Sequence, residues 1–179
     1  MSSPNSSSPA LAIGLIMATG TVLAGMDGTA KYLALEIPIV MVIWGRYFFH
    51  TVLTFTLYTV RTRSLVFLKA RRPGLQFFRA AALFAATAFM YVAITRMQLA
   101  DASSIQFLAP VLVTAFSGLV LGERVGPRRW MAVVFGFVGV LLVARPGSGV
   151  LGWTALLPLA TAVLLAVYLI MTRIIHTKD

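Results

Sequence analysis

Four polar side chains stand inside otherwise apolar sequence, and their types suggest binding chemistry: Asp27, Arg46, Tyr91 and Gln106. The stretch GMDGTAKYL (25–33) follows the run LAIGLIMATGTVLA with no turn signal between them. An ionisable side chain in lipid is costly, so it turns toward a partner, a protein interior or a cavity. A helix rise of about 1.5 Å per residue puts Asp27 about 5–8 Å, and Arg46 about 12 Å, below the same hydrocarbon edge. Tyr91 and Gln106 come out in the same outer half, so four helices contribute polar groups near one layer. This layer reads either as the wall of a substrate cavity, where Arg46 binds an anionic group, or as a structural ion pair. In the second case Asp27 pairs with Arg46, and losing one partner strands the other charge. Tyr91 and Gln106 suit cavity lining or interhelical hydrogen bonding equally.

The neighbouring polar residues read more plainly. Lys31 is expected to snorkel to the interface, with Asp27 one turn away and available as an i,i+4 partner. His50, in RYFFHT, reads as a packed histidine rather than a proton relay. Pro110 is expected to kink its helix and free backbone carbonyls that the bundle must satisfy. Hydrolase, zincin, P-loop and dinucleotide motifs are all missing. With two histidines and five acids scattered along the chain, no catalytic residues, metal site or cofactor are expected. The chain does not read as an enzyme, and without an ATP site any transport it performs would be driven by gradients.

The elements that must hold these residues are membrane helices. The chain has 179 residues, 59% hydrophobic and 11% charged, with a mean hydropathy of +0.91. A soluble chain this short has too little interior for that much apolar surface. A net charge of +10 would point to nucleic acid in a soluble protein, but here the charges cluster between apolar runs. There are no cysteines, which excludes disulfides and thiolate metal sites. A crossing takes roughly 20 apolar residues, and six spans are predicted at 10–33, 37–60, 78–97, 100–121, 128–146 and 151–173. Residues 1–9, rich in Ser and Pro, are expected to form a disordered tail without a cleaved signal.

Arg61, Arg63, Lys69, Arg71, Arg72 and Arg79 follow the second span, Arg124, Arg128 and Arg129 follow the fourth, and Arg173 and Lys178 close the chain. With six spans these fall on one side, so the positive-inside bias puts both termini in the cytoplasm. The basic link SLVFLKARRPGLQFF is expected in the headgroup layer, against membrane lipids. Aligning Leu11–Lys31 with Trp153–Arg173 matches Leu15 with Leu157, Ala18 with Ala160, Thr19 with Thr161, Leu23 with Leu165 and Ala24 with Ala166. An odd number of spans separates the two starts, so the second copy would enter from the opposite side, as in inverted-repeat transporters.

The block 91–147 resembles the EamA-type transporters of the drug/metabolite transporter superfamily. The residues that carry the likeness are Tyr91, Ala93, Ile94, Ala102, Pro110, Leu121-Gly122-Glu123-Arg124, Gly136, Gly139 and Val140, with Pro38 and Trp44-Gly45-Arg46-Tyr47 ahead of them. The resemblance implies an all-α polytopic protein of ten helices in two inverted five-helix repeats, with a substrate cavity near mid-membrane. Residues 10–147 would be the first repeat and 148–179 the first helix of the second. The expected function is secondary transport of a small organic metabolite or drug by alternating access, in a bacterial inner membrane. The expected partners are that substrate and lipid, not nucleic acid, with a second copy or a missing C-terminal half completing the bundle. The alternative is a truncated, non-transporting membrane scaffold or partner subunit.

Overall fold

A computed structural model describes residues 9–62, 72–121, 126–144 and 153–178. The described residues form helices and no strand: α1 Pro9–Leu33, α2 Ile39–Thr62, α3 Pro73–Arg96, α4 Leu99–Gln106, α5 Leu108–Leu121, α6 Pro127–Ala144 and α7 Leu156–Lys178. A 3-10 turn, Trp153–Ala155, leads into α7. Among the described residues, five stretches are long and apolar enough to cross a membrane, namely Ile13–Leu33, Ile39–Arg61, Pro73–Arg96, Leu99–Ser117 and Trp153–Ile175. The N-terminal tail, most of the basic link and Gly122-Glu123-Arg124 lie outside the described residues.

Two of the boundaries that differ from those read off the sequence have a local cause in proline chemistry. The third helix begins at Pro73 rather than 78, because proline fits the first helical turn, where no N–H is needed. Arg79 therefore lies within the helix and not in the preceding link. The fourth span is two helices, α4 and α5, separated by a turn at Phe107. Pro110 has no N–H to offer the Gln106 carbonyl and its ring crowds that carbonyl, which is where α4 stops. Phe107 instead closes the turn by donating its N–H to the Ser103 carbonyl at 3.0 Å.

The best-packed contact in the bundle is between α3 and α7. Ala162 and Ala166 are fully buried and Ala86 nearly so, and these small side chains let the two backbones approach closely. The Thr161 hydroxyl completes the contact, sharing its proton between the Ala86 carbonyl across the interface at 3.2 Å and its own Leu157 carbonyl at 3.1 Å. The Arg79 guanidinium lies over the Tyr168 ring, 5.7 Å from its centroid. Going from 79 to 86 along α3 therefore means going from 168 to 161 along α7, so the two helices are antiparallel. At the far end the Lys31 ammonium donates to the Met97 carbonyl at 2.8 Å, which joins the ends of α1 and α3 and makes them parallel. It follows that α7 runs opposite to α1. Arg61, Arg72 and Arg173 share one end of the bundle, and Lys31 and Arg96 share the other.

Lys31, at the end of its span, places its ammonium on the Met97 carbonyl at the C-terminal end of α3, where the helix dipole favours a cation. Of the two glycines in GFVGV, Gly136 makes the close approach. A Cβ there would stand 3.2 Å from the Val111 side chain of α5, whereas one on Gly139 would meet nothing.

Because α3 and α7 meet through methyl-sized side chains, Ala166→Leu should overpack the interface and cost about 1–3 kcal/mol. Thermal unfolding of the full chain in detergent should show a lower midpoint, while Gly139→Ala, in open space, should leave it nearly unchanged.

Candidate functional site

Helical spacing on α1 and α2 builds a cavity between them. Leu23, Met26, Ala30 and Leu33 fall three or four residues apart and form one face of α1, and Met41, Gly45, Arg46, Phe49 and His50 form the facing side of α2. Tyr91 of α3 closes the back. The volume is about 720 Å³, within the usual range for small-molecule sites. Most of the wall is apolar, and Arg46 is the only permanently charged side chain in it.

Arg46 is held in a defined pose. Its Nη1 donates to the Tyr91 hydroxyl at 2.7 Å, and its Cζ lies over the Tyr91 ring, 5.1 Å from the centroid. The same tyrosine thus provides an acceptor and a π face to one guanidinium. Tyr91 can do so because it is only 2% exposed, locked in a cluster with Ala30, Ile43, Met90, Ile94 and Ala102. Asp27 is half-buried, is not among the residues that line the cavity, and lies close enough for its charge to interact with both Arg46 and Tyr91.

Three of the four residues singled out in the sequence therefore come together: Asp27, Arg46 and Tyr91. Gln106 does not join them. It ends α4, half-buried, and is not among the residues that line the cavity. His50 also departs from its expected role as a packed side chain, because it is exposed on the cavity wall one turn beyond Arg46.

The structure adds a second polar link. The Tyr47 hydroxyl donates to Thr87 Oγ1 at 2.9 Å, and the Thr87 hydroxyl donates to the Leu83 carbonyl at 3.0 Å. This chain ties α2 to α3 one turn from the Arg46–Tyr91 pair and fixes the register that lets Arg46 reach Tyr91. The clue available in the sequence was spacing: Thr87 and Tyr91 are four apart and so share a face, opposite the adjacent pair Arg46-Tyr47.

Residues 10–145 match the EamA-like transporter family. Among curated proteins, the chain is 31% identical over 139 residues to a riboflavin transporter of Brucella anthropi, covering 76% of this chain and 48% of that protein. It is 41% identical over 64 residues to a riboflavin transporter of Rhizobium johnstonii, covering 36% of this chain and 21% of that one. A riboflavin transporter of Vibrio cholerae is 34% identical over 71 residues, 40% of this chain and 24% of that protein. The chain spans about half the length, or less, of these relatives. No solved structure matches.

Tyr91→Phe keeps the ring over the guanidinium and removes its acceptor. A hydrogen bond to a charged group is worth about 1.5–3 kcal/mol, so this variant should lower the thermal midpoint of the full chain. Tyr91→Leu, which also removes the π face, should lower it further; equal midpoints for wild type and Tyr91→Leu would contradict the arrangement.

Proposed function

We propose that this chain, which belongs to the EamA-like transporter family, carries a small organic molecule across the membrane by alternating access. The observation that carries the proposal is the cavity between α1 and α2, apolar except for a few polar groups, with Arg46 held at its wall by Tyr91. A charge kept inside a membrane bundle and aimed into a cavity is the expected form of a substrate anchor. Asp27, half-buried nearby, can interact with that charge, and Tyr91 orients it. Gln106, outside the cavity, would act only if α4 moves during transport.

The architecture we infer is six crossings, with α6 as the fifth, and α7 opening a second, inverted repeat. The opposite directions of α1 and α7 support that reading, as does the ungapped match between them. The clustering of Arg61, Arg72 and Arg173 at one end supports cytoplasmic termini in a bacterial inner membrane. The shared name of the relatives makes riboflavin, or a planar heteroaromatic compound like it, the first substrate to test.

Arg46→Ala and Asp27→Asn should each reduce riboflavin exchange at least ten-fold in proteoliposomes holding equal amounts of the full chain. Exchange at the wild-type rate in both variants would remove these residues from the site. No riboflavin exchange by the wild-type chain would remove riboflavin as the substrate.

A further inference from the structure

At one end of the bundle Arg61, Arg72, Arg79 and Arg173 gather without matching acids. Of the five acids, Asp27, Glu36 and Asp101 belong to the opposite half, and Glu123 and Asp179 lie outside the described residues. Arg79, two turns into α3, is the deepest of these charges on its helix. Its guanidinium lies 5.7 Å from the centroid of the Tyr168 ring. A ring face attracts the charge but offers no oxygen to the N–H groups. Arg46, by contrast, gives one N–H to the Tyr91 hydroxyl. The Arg79 Nε is buried and has no hydrogen-bond partner among the described residues. Packing against α7 has thus already taken one of five N–H donors out of use, and an acceptor for the others gains in importance.

Arg79 does not stand alone. Gln76 precedes it by three residues and so shares its face of α3. Gln76 in turn donates its N–H to the Arg72 carbonyl at 3.1 Å, which puts Arg72 at the start of the same stripe. Arg72 is exposed, whereas Gln76 and Arg79 are half-buried. The helix rise puts Arg79 about 10 Å deeper than Arg72, which spans the step from headgroups to the first part of the acyl chains. Phe77 and Phe78, 70% and 64% exposed, flank the stripe with apolar rings. We propose that Arg72, Gln76 and Arg79, with Tyr168 beneath, form a site for the phosphodiester of an anionic phospholipid at the ends of α3 and α7. The two guanidinium groups hold the phosphate oxygens through charge-assisted hydrogen bonds, Gln76 adds an amide N–H, and the acyl chains run past the two phenylalanines. A zwitterionic headgroup would bring its own ammonium to this basic end, so the site favours a lipid of net negative charge. The inference is independent of the reading of the cavity, which lies between α1 and α2.

The test is the thermal midpoint of the full chain in nonionic detergent, with added dioleoylphosphatidylglycerol, dioleoylphosphatidylcholine or inorganic phosphate. Saturating phosphatidylglycerol should raise the midpoint by about 5 °C or more, and the other two should not. In Arg79→Gln that rise should fall to half or less. In Arg61→Gln, which removes the same charge from the same end but on α2, the rise should persist. Each rise is measured against the same variant without lipid, so a variant's own loss of stability does not enter. Equal rises with the two lipids overturn the site, and that comparison needs only the wild-type chain. An equal rise with inorganic phosphate overturns the lipid as its occupant. Equal losses in Arg79→Gln and Arg61→Gln overturn the role of Arg79, because the attraction is then diffuse.

Discussion

The close approach of α3 and α7 is the contact on which the rest of the molecule depends. Between helices in lipid there is little hydrophobic gain, since hydrocarbon surrounds them on every side, so association rests on tight packing and polar contacts. Ala86, Ala162 and Ala166 provide the packing by being small, and Thr161 provides the polar contact by reaching the Ala86 carbonyl. With α7 against one stripe of α3, the neighbouring stripe, carrying Thr87, Tyr91 and Ile94, is turned toward α2 and α1. The helix that holds the bundle together is thus also the helix that presents Tyr91 to the cavity.

The second constraint is the burial of Arg46. A guanidinium in this environment must have its donors and its charge satisfied, and the chain meets that need from three helices. Tyr91 accepts a hydrogen bond and lies under the guanidinium, the half-buried Asp27 interacts with its charge, and Tyr47 with Thr87 sets the height of α2 on α3. Lys31 fixes the opposite corner, where its ammonium meets the last carbonyls of α3. The polar residues therefore form a frame, each one setting the position of the next. The fork of Arg46, with its remaining donors, faces the cavity.

Much of this was legible from position along the chain. A helix has a fixed rise, so residue number converts to depth, and depth alone brought Asp27, Arg46 and Tyr91 to one layer. Depth says nothing about azimuth, and that is why Gln106 was placed in the same group although it ends α4 away from the cavity. His50 suffered the opposite error: its apolar neighbours suggested packing, but its place one turn after Arg46 turns it to the same wall. Its place at the end of a span makes Lys31 interfacial. Its actual partner, a backbone carbonyl of Met97, has no signature in side-chain sequence. The break at Phe107 falls four residues or fewer before a proline that was visible in the sequence, but the division into α4 and α5 was not.

The sequence by itself determined that this is an all-helical membrane protein of the EamA-like family, because hydropathy, loop charge and local motifs are properties of short stretches. It also determined which residues are too polar for lipid and must find partners. Only the tertiary structure decided what those partners are. Which face of α3 meets α7 and which meets α2 depends on the fit of methyl groups across the two interfaces. Whether Arg46 meets an aspartate or a tyrosine first depends on a rotation of about 100° per residue, which the order of residues does not reveal until helices are packed.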